Sequence, residues 1–271
     1  MAIEHTLVSP DPVDGSPYSL HPHRVREGPP PLEPPYWYSL SPSQAGKTIR
    51  IARQALWSFH DPSEWEFVQG VLERLARWVL DLPASEKHHH STARGLYRHS
   101  LEVAGSVLQS IEAQWSERTD LQSLTSAEKV LWLKVAFALG LFHDCGKILD
   151  IEVKGSARGA PWDPLKESLA AFRMRHGMDP SKSTPHVFRP GRGMTGHERR
   201  GIPLVPIILP GKRWGWLRPL LTEALWVFAS RGPEPTDSRG DTLTWMAHRV
   251  HEADSRSAAG ASKPGNRKDG E

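Results

Sequence analysis

An adjacent histidine and aspartate, His143 and Asp144, follow an apolar stretch of the sequence and precede Cys145, Gly146 and Lys147. A neutral imidazole beside a carboxylate suits Zn, Mn or Fe better than Ca. Because neighbouring helical residues diverge by roughly 100°, both side chains can reach one ion only where the helix end points at it. We expect Gly146 to let the chain turn out of the helix and Lys147 to meet a phosphate oxygen. The alternative is a buried histidine that hydrogen-bonds a structural aspartate.

A second histidine-rich segment lies upstream of this pair. His99 stands between Leu96 and Val103 in an amphipathic stretch, so it faces the core side of a predicted helix. An unpaired imidazole is costly there, so His99 is either a metal ligand or a core histidine with a hydrogen-bond partner. Residues 88–90 are all histidines, and His90 could reach the same site from its turn.

Apolar residues at three-to-four spacing predict the helices that must position these side chains. The predicted helices are Ile51–Phe59, Pro62–Val79, Leu96–Trp115, Ser126–His143, Pro164–Arg175, Pro219–Ser230 and Leu243–Ala253. Val205–Leu209 is β-branched and flanked by proline, which indicates a short strand or an extended linker. The sequence shows no repeats and no alternation of strands with helices. The predicted fold class is therefore mainly α.

Composition divides the chain of 271 residues into three parts. Residues 1–43 are Pro-rich and are expected to form a largely irregular N-terminal segment. Residues 44–256 carry the helical patterns and form the predicted domain. Residues 257–271 are small and polar, and we expect them to be a disordered tail.

Several protein classes are excluded by composition. The single cysteine allows no intrachain disulfide, which suits a reducing compartment. The N-terminus lacks the basic start and apolar core of a signal peptide, and the sequence has no apolar run of membrane-spanning length. A net charge of +3 permits a phosphate-bearing partner without requiring one. We therefore expect a cytoplasmic protein.

Together these motifs resemble the HD superfamily of metal-dependent phosphohydrolases. An isolated helical histidine, His99, is followed by His143-Asp144-Cys145-Gly146-Lys147 and by a distant aspartate. The longer match runs from Pro83-Ala84-Ser85 through the histidine run and Gly95-Leu96 to His99-Ser100-Leu101-Glu102-Val103-Ala104. It is similar to the N-terminal HD domain of the TraI/MobH-type relaxases, conjugative proteins of plasmids and integrative elements that nick DNA at the transfer origin. The resemblance covers Ser43 to Ala259 and implies an HD-domain helical bundle.

This resemblance implies the metal ligands residue by residue. His99, His143 and Asp144 match the first three ligands, and Asp144 would be able to bridge two ions. Asp254, in a segment that looks like the terminal Ala-Asp-x-x-Ser element of the family, matches the closing ligand. The implied cofactor is one or two divalent ions, Mn, Fe, Zn or Mg.

Other residues compete for this ligand set or extend it. The rivals for the closing position are Asp237 and Asp241, and the candidates for a second ion are His197, His90 and His176. His248 and His251 are three residues apart on one predicted helix. They either face the same pocket or lie on the surface.

In the implied mechanism, metal-activated water attacks phosphorus in line, so that no protein nucleophile is needed. Asp144 and Lys147 are the catalytic residues of this scheme. Phosphate binding falls to Arg94, Arg98 and Lys147, whose positive charges offset the charge that develops on the phosphate. Tyr97 is the alternative nucleophile, because many relaxases use tyrosine.

Basic and aromatic residues late in the chain indicate nucleic-acid binding. Lys212, Arg213, Trp214 and Arg218 combine cations that attract phosphates with an indole that can stack on an unpaired base. The segment Arg189–Arg200 adds further arginines. The alternative is that the tryptophans lie in the core and the arginines are simply solvated.

The implied function is that of a metal-dependent phosphohydrolase or phosphodiesterase that acts on or binds DNA at a transfer origin. Relaxosome or coupling proteins are the implied partners. One alternative is a stand-alone hydrolase of nucleotides or small phosphoesters, and another is a non-catalytic DNA-binding accessory protein of the relaxosome. Relaxases of this type carry a further C-terminal region, and this chain ends soon after Asp254, which argues against nicking without another domain.

Overall fold

Helices dominate the part of the chain that the computed structural model describes, which is residues 63–79, 82–86, 90–155, 159–179, 182–189, 196–230 and 241–261. The α-helices are α1 (Ser63–Val79), α2 (Gly95–Gln114), α3 (Thr119–Gln122), α4 (Ser126–Phe142), α5 (Leu169–Arg175), α6 (His197–Gly201), α7 (Val205–Ile208), α8 (Leu217–Ser230) and α9 (Thr242–Ala261). Short 3-10 helices cover Trp115–Glu117, Cys145–Asp150, Ile202–Leu204 and Lys212–Trp214. The mainly α prediction is confirmed.

A small sheet accompanies these helices. Strands β1 (Ile151–Val153) and β2 (His186–Phe188) pair antiparallel, with Ile151 opposite Phe188. Each strand has three residues, which is too short to show the alternation that predicts a strand, and the sequence analysis missed both. Strand β1 follows the 3-10 helix Cys145–Asp150 directly, and the backbone N–H of Arg189, just after β2, donates to the carbonyl oxygen of Asp150 at 2.8 Å.

Several sequence predictions differ from the structure or lie outside the residues that it describes. Val205–Leu209, predicted as a strand or extended linker, is wrong, because Val205–Ile208 forms α7. Proline early in a helix is tolerated, since the missing N–H has no partner there, and Pro206 occupies such a position. Helix α9 runs on to Ala261, so that Ser257 lies within it and not in a tail. The predicted helix Ile51–Phe59 and the N-terminal segment lie outside the described residues.

Helix α4 is the central element of the fold. It begins at a capping box in which Thr125 Oγ1 accepts a hydrogen bond from the backbone N–H of Glu128, while Glu128 Oε2 accepts one from the N–H of Thr125 at 2.8 Å. Its second half, Val135 to Phe142, is buried on every side. A helix that is apolar all round lies in a core, and α4 therefore delivers the residue after it, His143, to the centre of the fold.

Close packing between α2 and α4 brings their functional side chains together. A Cβ atom on Gly140 would lie 2.7 Å from the Cα atom of Ala104, so only glycine allows this approach. Helix α9 packs against both α2 and α8, and α8 packs against α4. The end of α4 is therefore surrounded by α2, α8 and α9. None of the described helices is both long enough and apolar enough to cross a membrane.

Candidate metal centre

Four side chains from α2, α9 and the residues after α4 converge at one point. His99, His143, Asp144 and Asp254 each offer one ligand atom, and these atoms all lie within 4.8 Å of one another. The Nε2 atom of His99 is 3.0 Å from Asp254 Oδ1, 3.1 Å from Asp144 Oδ2 and 3.3 Å from His143 Nε2. Two imidazole nitrogens and two carboxylate oxygens could hold a divalent ion.

Hydrogen bonds on the far side of each imidazole orient its Nε2 atom toward this cluster. The Nδ1 atom of His143 lies 2.8 Å from the carbonyl oxygen of Gly140, which can only accept. The Nδ1 atom of His99 lies 3.2 Å from Ser257 Oγ, and Ser257 in turn donates to Glu102 Oε2 at 2.9 Å. With the proton on Nδ1, each Nε2 atom keeps the lone pair that a metal ligand needs.

The cluster concentrates negative charge in a buried place. Burial raises the pKa of Asp144, but the charges of Lys147 and His143 outweigh that effect and hold the pKa well below its usual range. Burial likewise raises the pKa of Asp254, and hydrogen bonds from His143 and His99 lower it further than burial raises it. Burial lowers the pKa of His99, yet its hydrogen bonds to the two carboxylates raise that pKa to about 9. These shifts favour two carboxylate anions with a cation beside them.

His197 reaches the cluster from the other side of Asp144. Its Nε2 atom is 2.7 Å from Asp144 Oδ1, whereas His99 faces Oδ2 of the same carboxylate. Burial lowers the pKa of His197, but the contact with Asp144 outweighs burial, and the net shift is upward. Asp144 thus lies between two sets of donors, the position that a bridging carboxylate would occupy.

A close backbone contact holds His197 at this position. A Cβ atom on Gly146 would lie 1.8 Å from the carbonyl oxygen of His197, and one on Gly201 would lie 2.8 Å from Cys145 Sγ. Helix α6 therefore rests directly against the 3-10 helix Cys145–Asp150. Gly146 does not have a positive φ, so the expectation that it turns the chain out of the helix is wrong. Glycine is required there because two backbones meet.

Comparison with known families covers the same part of the chain. Residues 62–270 match the TraI_2 family model, whose description reads "Putative helicase". The chain belongs to the TraI_2 family. Comparisons with curated proteins and with solved structures found no match. The range that matches TraI_2 includes every residue of the cluster.

In this TraI_2 chain, His90 lies behind the cluster and contacts the residues that orient His99. Its ring centre is 5.3 Å from that of His99. Its Nε2 atom is 3.2 Å from Glu102 Oε2 and 3.3 Å from Ser257 Oγ. His90 therefore reaches the region that the sequence predicted, one layer away from the four converging ligand atoms.

The rivals for the closing ligand position are separated by their placement. Asp241 precedes α9 and accepts hydrogen bonds from the backbone N–H and the hydroxyl of Thr244, at 2.8 Å and 3.0 Å. It is a helix cap. Asp237 lies outside the described residues. Asp254 is the candidate that the fold brings to the cluster.

The remaining predicted histidines contact other groups. His176 packs against Phe172 with the two rings tilted, His248 lies 3.7 Å from Glu252, and His251 stacks on Phe228. Phe228 also meets the ring of His143 edge-on, with the ring centres 5.9 Å apart. His251 thus contacts the apolar wall of the cluster and not the cluster itself.

Both residues near the cluster that could attack phosphorus are buried. The hydroxyl of Tyr97 donates to the carbonyl oxygen of Leu72 at 3.5 Å, and burial raises its pKa. The thiol of Cys145 faces the carbonyl oxygen of Gly201, and burial raises its pKa too. A nucleophile must be ionised and must reach the substrate, and neither side chain meets both conditions.

The predicted phosphate-binding residues differ in their relation to the cluster. Lys147 Nζ pairs with Asp144 Oδ2, so its ammonium lies at the cluster. Arg98 is close enough to Glu102 for its charge to lower the pKa of that carboxyl group. Arg94 precedes α2 in a left-handed conformation, with φ 66°.

The residues predicted to bind nucleic acid differ in their exposure. Trp214 is only 3% exposed and packs against Phe67, with the guanidinium of Arg213 over its ring at 5.1 Å. Its indole therefore has no free face for a base, and its predicted stacking role is wrong. Lys212 and Arg213 are exposed, and Arg218 lines a groove beside α8.

Sequence reasoning missed the residues that support the cluster. Glu102 and Ser257 received no role, although together they orient His99. Glu102 follows His99 by three residues, and Ser257 follows Asp254 by three, a spacing that places each pair on one helix face. That spacing was the available signal.

Proposed function

We propose that this TraI_2 family member is a metal-dependent phosphohydrolase of the HD type that acts on DNA phosphodiesters, as relaxases of mobile elements do. The observation that carries the proposal is the convergence of His99, His143, Asp144 and Asp254 within 4.8 Å. The four residues also stand in the order of the HD motifs along the chain. The family match over residues 62–270 supports the relation to TraI proteins.

The donor set fits a transition-metal ion. Imidazole nitrogen together with carboxylate oxygen suits Mn, Fe or Zn, whereas Mg prefers oxygen and water around it. Hydrogen bonds from Nδ1 of His99 and of His143 leave both Nε2 atoms ready to bind. When bound, one or two such ions would polarise a phosphoryl oxygen and make water a nucleophile near neutral pH.

The side chains around the centre have separate tasks in this proposal. Asp144 would hold the centre in place through both oxygens, one toward His99 and one toward His197. Lys147, which pairs with Asp144, would donate to a phosphate oxygen and offset its developing charge. His197 would bind a second ion or, beside a single ion, donate a proton to the leaving oxygen.

A reaction without a protein nucleophile agrees with the burial of the alternatives. Burial raises the pKa values of both Tyr97 and Cys145, so neither is prepared to form a covalent intermediate. Activated water is then the attacking group, and the scissile bond is a phosphorus–oxygen bond.

Helicase chemistry, which the family description names, would need a nucleotide-binding P-loop. The sequence Gly46-Lys47-Thr48 has the end of that motif, but Ser41 stands where the motif requires glycine. We therefore assign the phosphate chemistry of this chain to the metal cluster.

The test uses protein purified without a histidine tag and loaded with manganese. We expect hydrolysis of bis(p-nitrophenyl) phosphate and of DNA, lost in the His143→Ala/Asp144→Ala double variant. The matched control is His176→Ala, because His176 packs against Phe172 and is not among the four residues of the cluster. Turnover of nucleotides but not of DNA would show that the substrate is a small molecule. Metal binding and DNA binding without any cleavage would instead identify an accessory protein, and equal activity in the double variant would overturn the proposal.

A further inference from the structure

Helix α8 has two faces of different character. Its inner face, which includes Leu221, Leu225 and Phe228, is buried against the core. Its outer face carries Arg218, Thr222 and Trp226, spaced four residues apart so that they align along the helix. The outer face borders a groove of about 650 Å³.

Trp226 is the unusual residue of this face. Its side chain is 57% exposed, although indoles are among the largest apolar groups a protein can bury. The guanidinium of Arg199 lies 6.0 Å from its ring centre, and Arg199 also donates to the carbonyl oxygen of Ala229. These contacts place a cation over the indole ring while more than half of the tryptophan remains exposed.

The charge around the groove favours an anionic occupant. The lining residues Arg218 and Glu223 carry opposite charges that cancel, and the excess of one positive charge comes from Arg199, which lies over the ring of Trp226. Lys212 is exposed one turn before α8, next to the groove residue Gly215. An exposed indole with one guanidinium over its ring and a second lining the same groove is an arrangement that can bind unpaired bases and their phosphates.

We propose that the outer face of α8, together with Arg199, is a docking surface for single-stranded nucleic acid. One base stacks on Trp226, and the guanidinium groups of Arg199 and Arg218 contact the neighbouring phosphates. A duplex cannot use the same contact, because its bases are already stacked on one another.

The position of this surface relates it to the metal centre. Helix α6 carries both Arg199, which lies over Trp226, and His197, which contacts Asp144. A strand that leaves Trp226 across α6 therefore runs toward the cluster. This second step rests on the proposed function, whereas docking on Trp226 does not depend on it.

Fluorescence anisotropy with a labelled single-stranded oligonucleotide tests the docking. We expect Trp226→Ala to weaken binding roughly tenfold and Trp226→Phe to restore most of it. Arg199→Ala and Arg218→Ala should each lower the slope of log affinity against log salt by about 0.7. The matched control is Arg74→Ala, an exposed arginine on α1, which should leave the affinity for the oligonucleotide unchanged.

Two further measurements distinguish the possible outcomes. The same oligonucleotide as a duplex should bind Trp226→Ala and the parent protein equally well. Hydrolysis of bis(p-nitrophenyl) phosphate should be unchanged in Trp226→Ala, so that loss of docking and loss of catalysis are read separately. The docking surface would be overturned if Trp226→Ala and the parent bound the single-stranded oligonucleotide with equal affinity. It would also be overturned if the substitution weakened the binding of duplex and of single strand alike, even with an active metal centre.

Discussion

The Nε2 atom of His99 on α2 lies 3.0 Å from Oδ1 of Asp254 on α9. This contact joins an early helix to the last one and closes the cluster around the end of α4. Because His99 and Asp254 each offer one ligand atom, a metal ion bound between them would affect the stability of the fold as well as its chemistry.

Metal removal should destabilise the folded protein. An ion that binds only the folded state, at a free concentration of about a thousand times its Kd, adds about 4 kcal/mol to the free energy of unfolding. For a domain of this size that corresponds to a fall in Tm of about 10 °C after chelation. Differential scanning calorimetry before and after dialysis against EDTA measures the fall, and re-addition of manganese should reverse it. A Tm that chelation leaves unchanged would show that no ion contributes to the fold.

Ser257→Ala should weaken metal binding without removing a ligand atom. The substitution deletes the hydroxyl that links His99 Nδ1 to Glu102, and partners of this kind change metal affinity by about tenfold or more. Competition with a fluorescent chelator gives the affinity. Ser255→Ala, an exposed position on the same helix, is the matched control. Equal metal affinity in Ser257→Ala and Ser255→Ala would contradict the proposed orientation of His99.

Gly146→Ala should disturb the fold and displace His197. The added Cβ would lie 1.8 Å from the carbonyl oxygen of His197, so α6 must move away, at a cost of about 3 kcal/mol in the free energy of unfolding. Urea denaturation measures the cost. Gly215→Ala is the control, because its Cβ would meet only the carbonyl oxygen of Lys212, at 3.2 Å. If both variants unfold at the same urea concentration as the parent protein, the backbone contact has been misjudged.

Tyr97→Phe should retain metal-dependent hydrolysis. The hydroxyl is buried and makes one long hydrogen bond to Leu72, so its loss should cost no more than about 1 kcal/mol in stability. Steady-state kinetics with bis(p-nitrophenyl) phosphate should give a kcat within twofold of the parent, on the order expected for a residue outside the reaction. Complete loss of activity in a folded variant would instead indicate a covalent tyrosine intermediate.

The sequence predicted the residues of the cluster better than the residues that orient them. His99, His143 and Asp144 stand in short motifs whose order along the chain resembles a known pattern, and the fold does bring them together. For the closing position the resemblance favoured Asp254 over its rival Asp241, although both lie near the same predicted helix. The structure separates them, since Asp241 caps that helix while Asp254 lies on its inner side.

Local pattern failed where long-range packing decides the structure. Val205–Leu209 has β-branched residues, yet packing around α8 and proline near the helix start favour α7. Trp214 looked like an accessible stacking residue, but Phe67 and Arg213 enclose it, whereas Trp216 and Trp226 are exposed among the described residues. Burial of a particular tryptophan depends on partners far away in sequence, which composition and spacing do not reveal.

The most direct test of the account is the metal content of tag-free protein, measured by inductively coupled plasma mass spectrometry. We compare the parent protein with Asp254→Asn, which replaces a carboxylate of the cluster, and with Asp241→Asn, which replaces the helix cap. We expect bound transition metal in the parent and in Asp241→Asn, and its loss in Asp254→Asn. Equal metal content in the two variants, or none in the parent protein, would contradict the central claim.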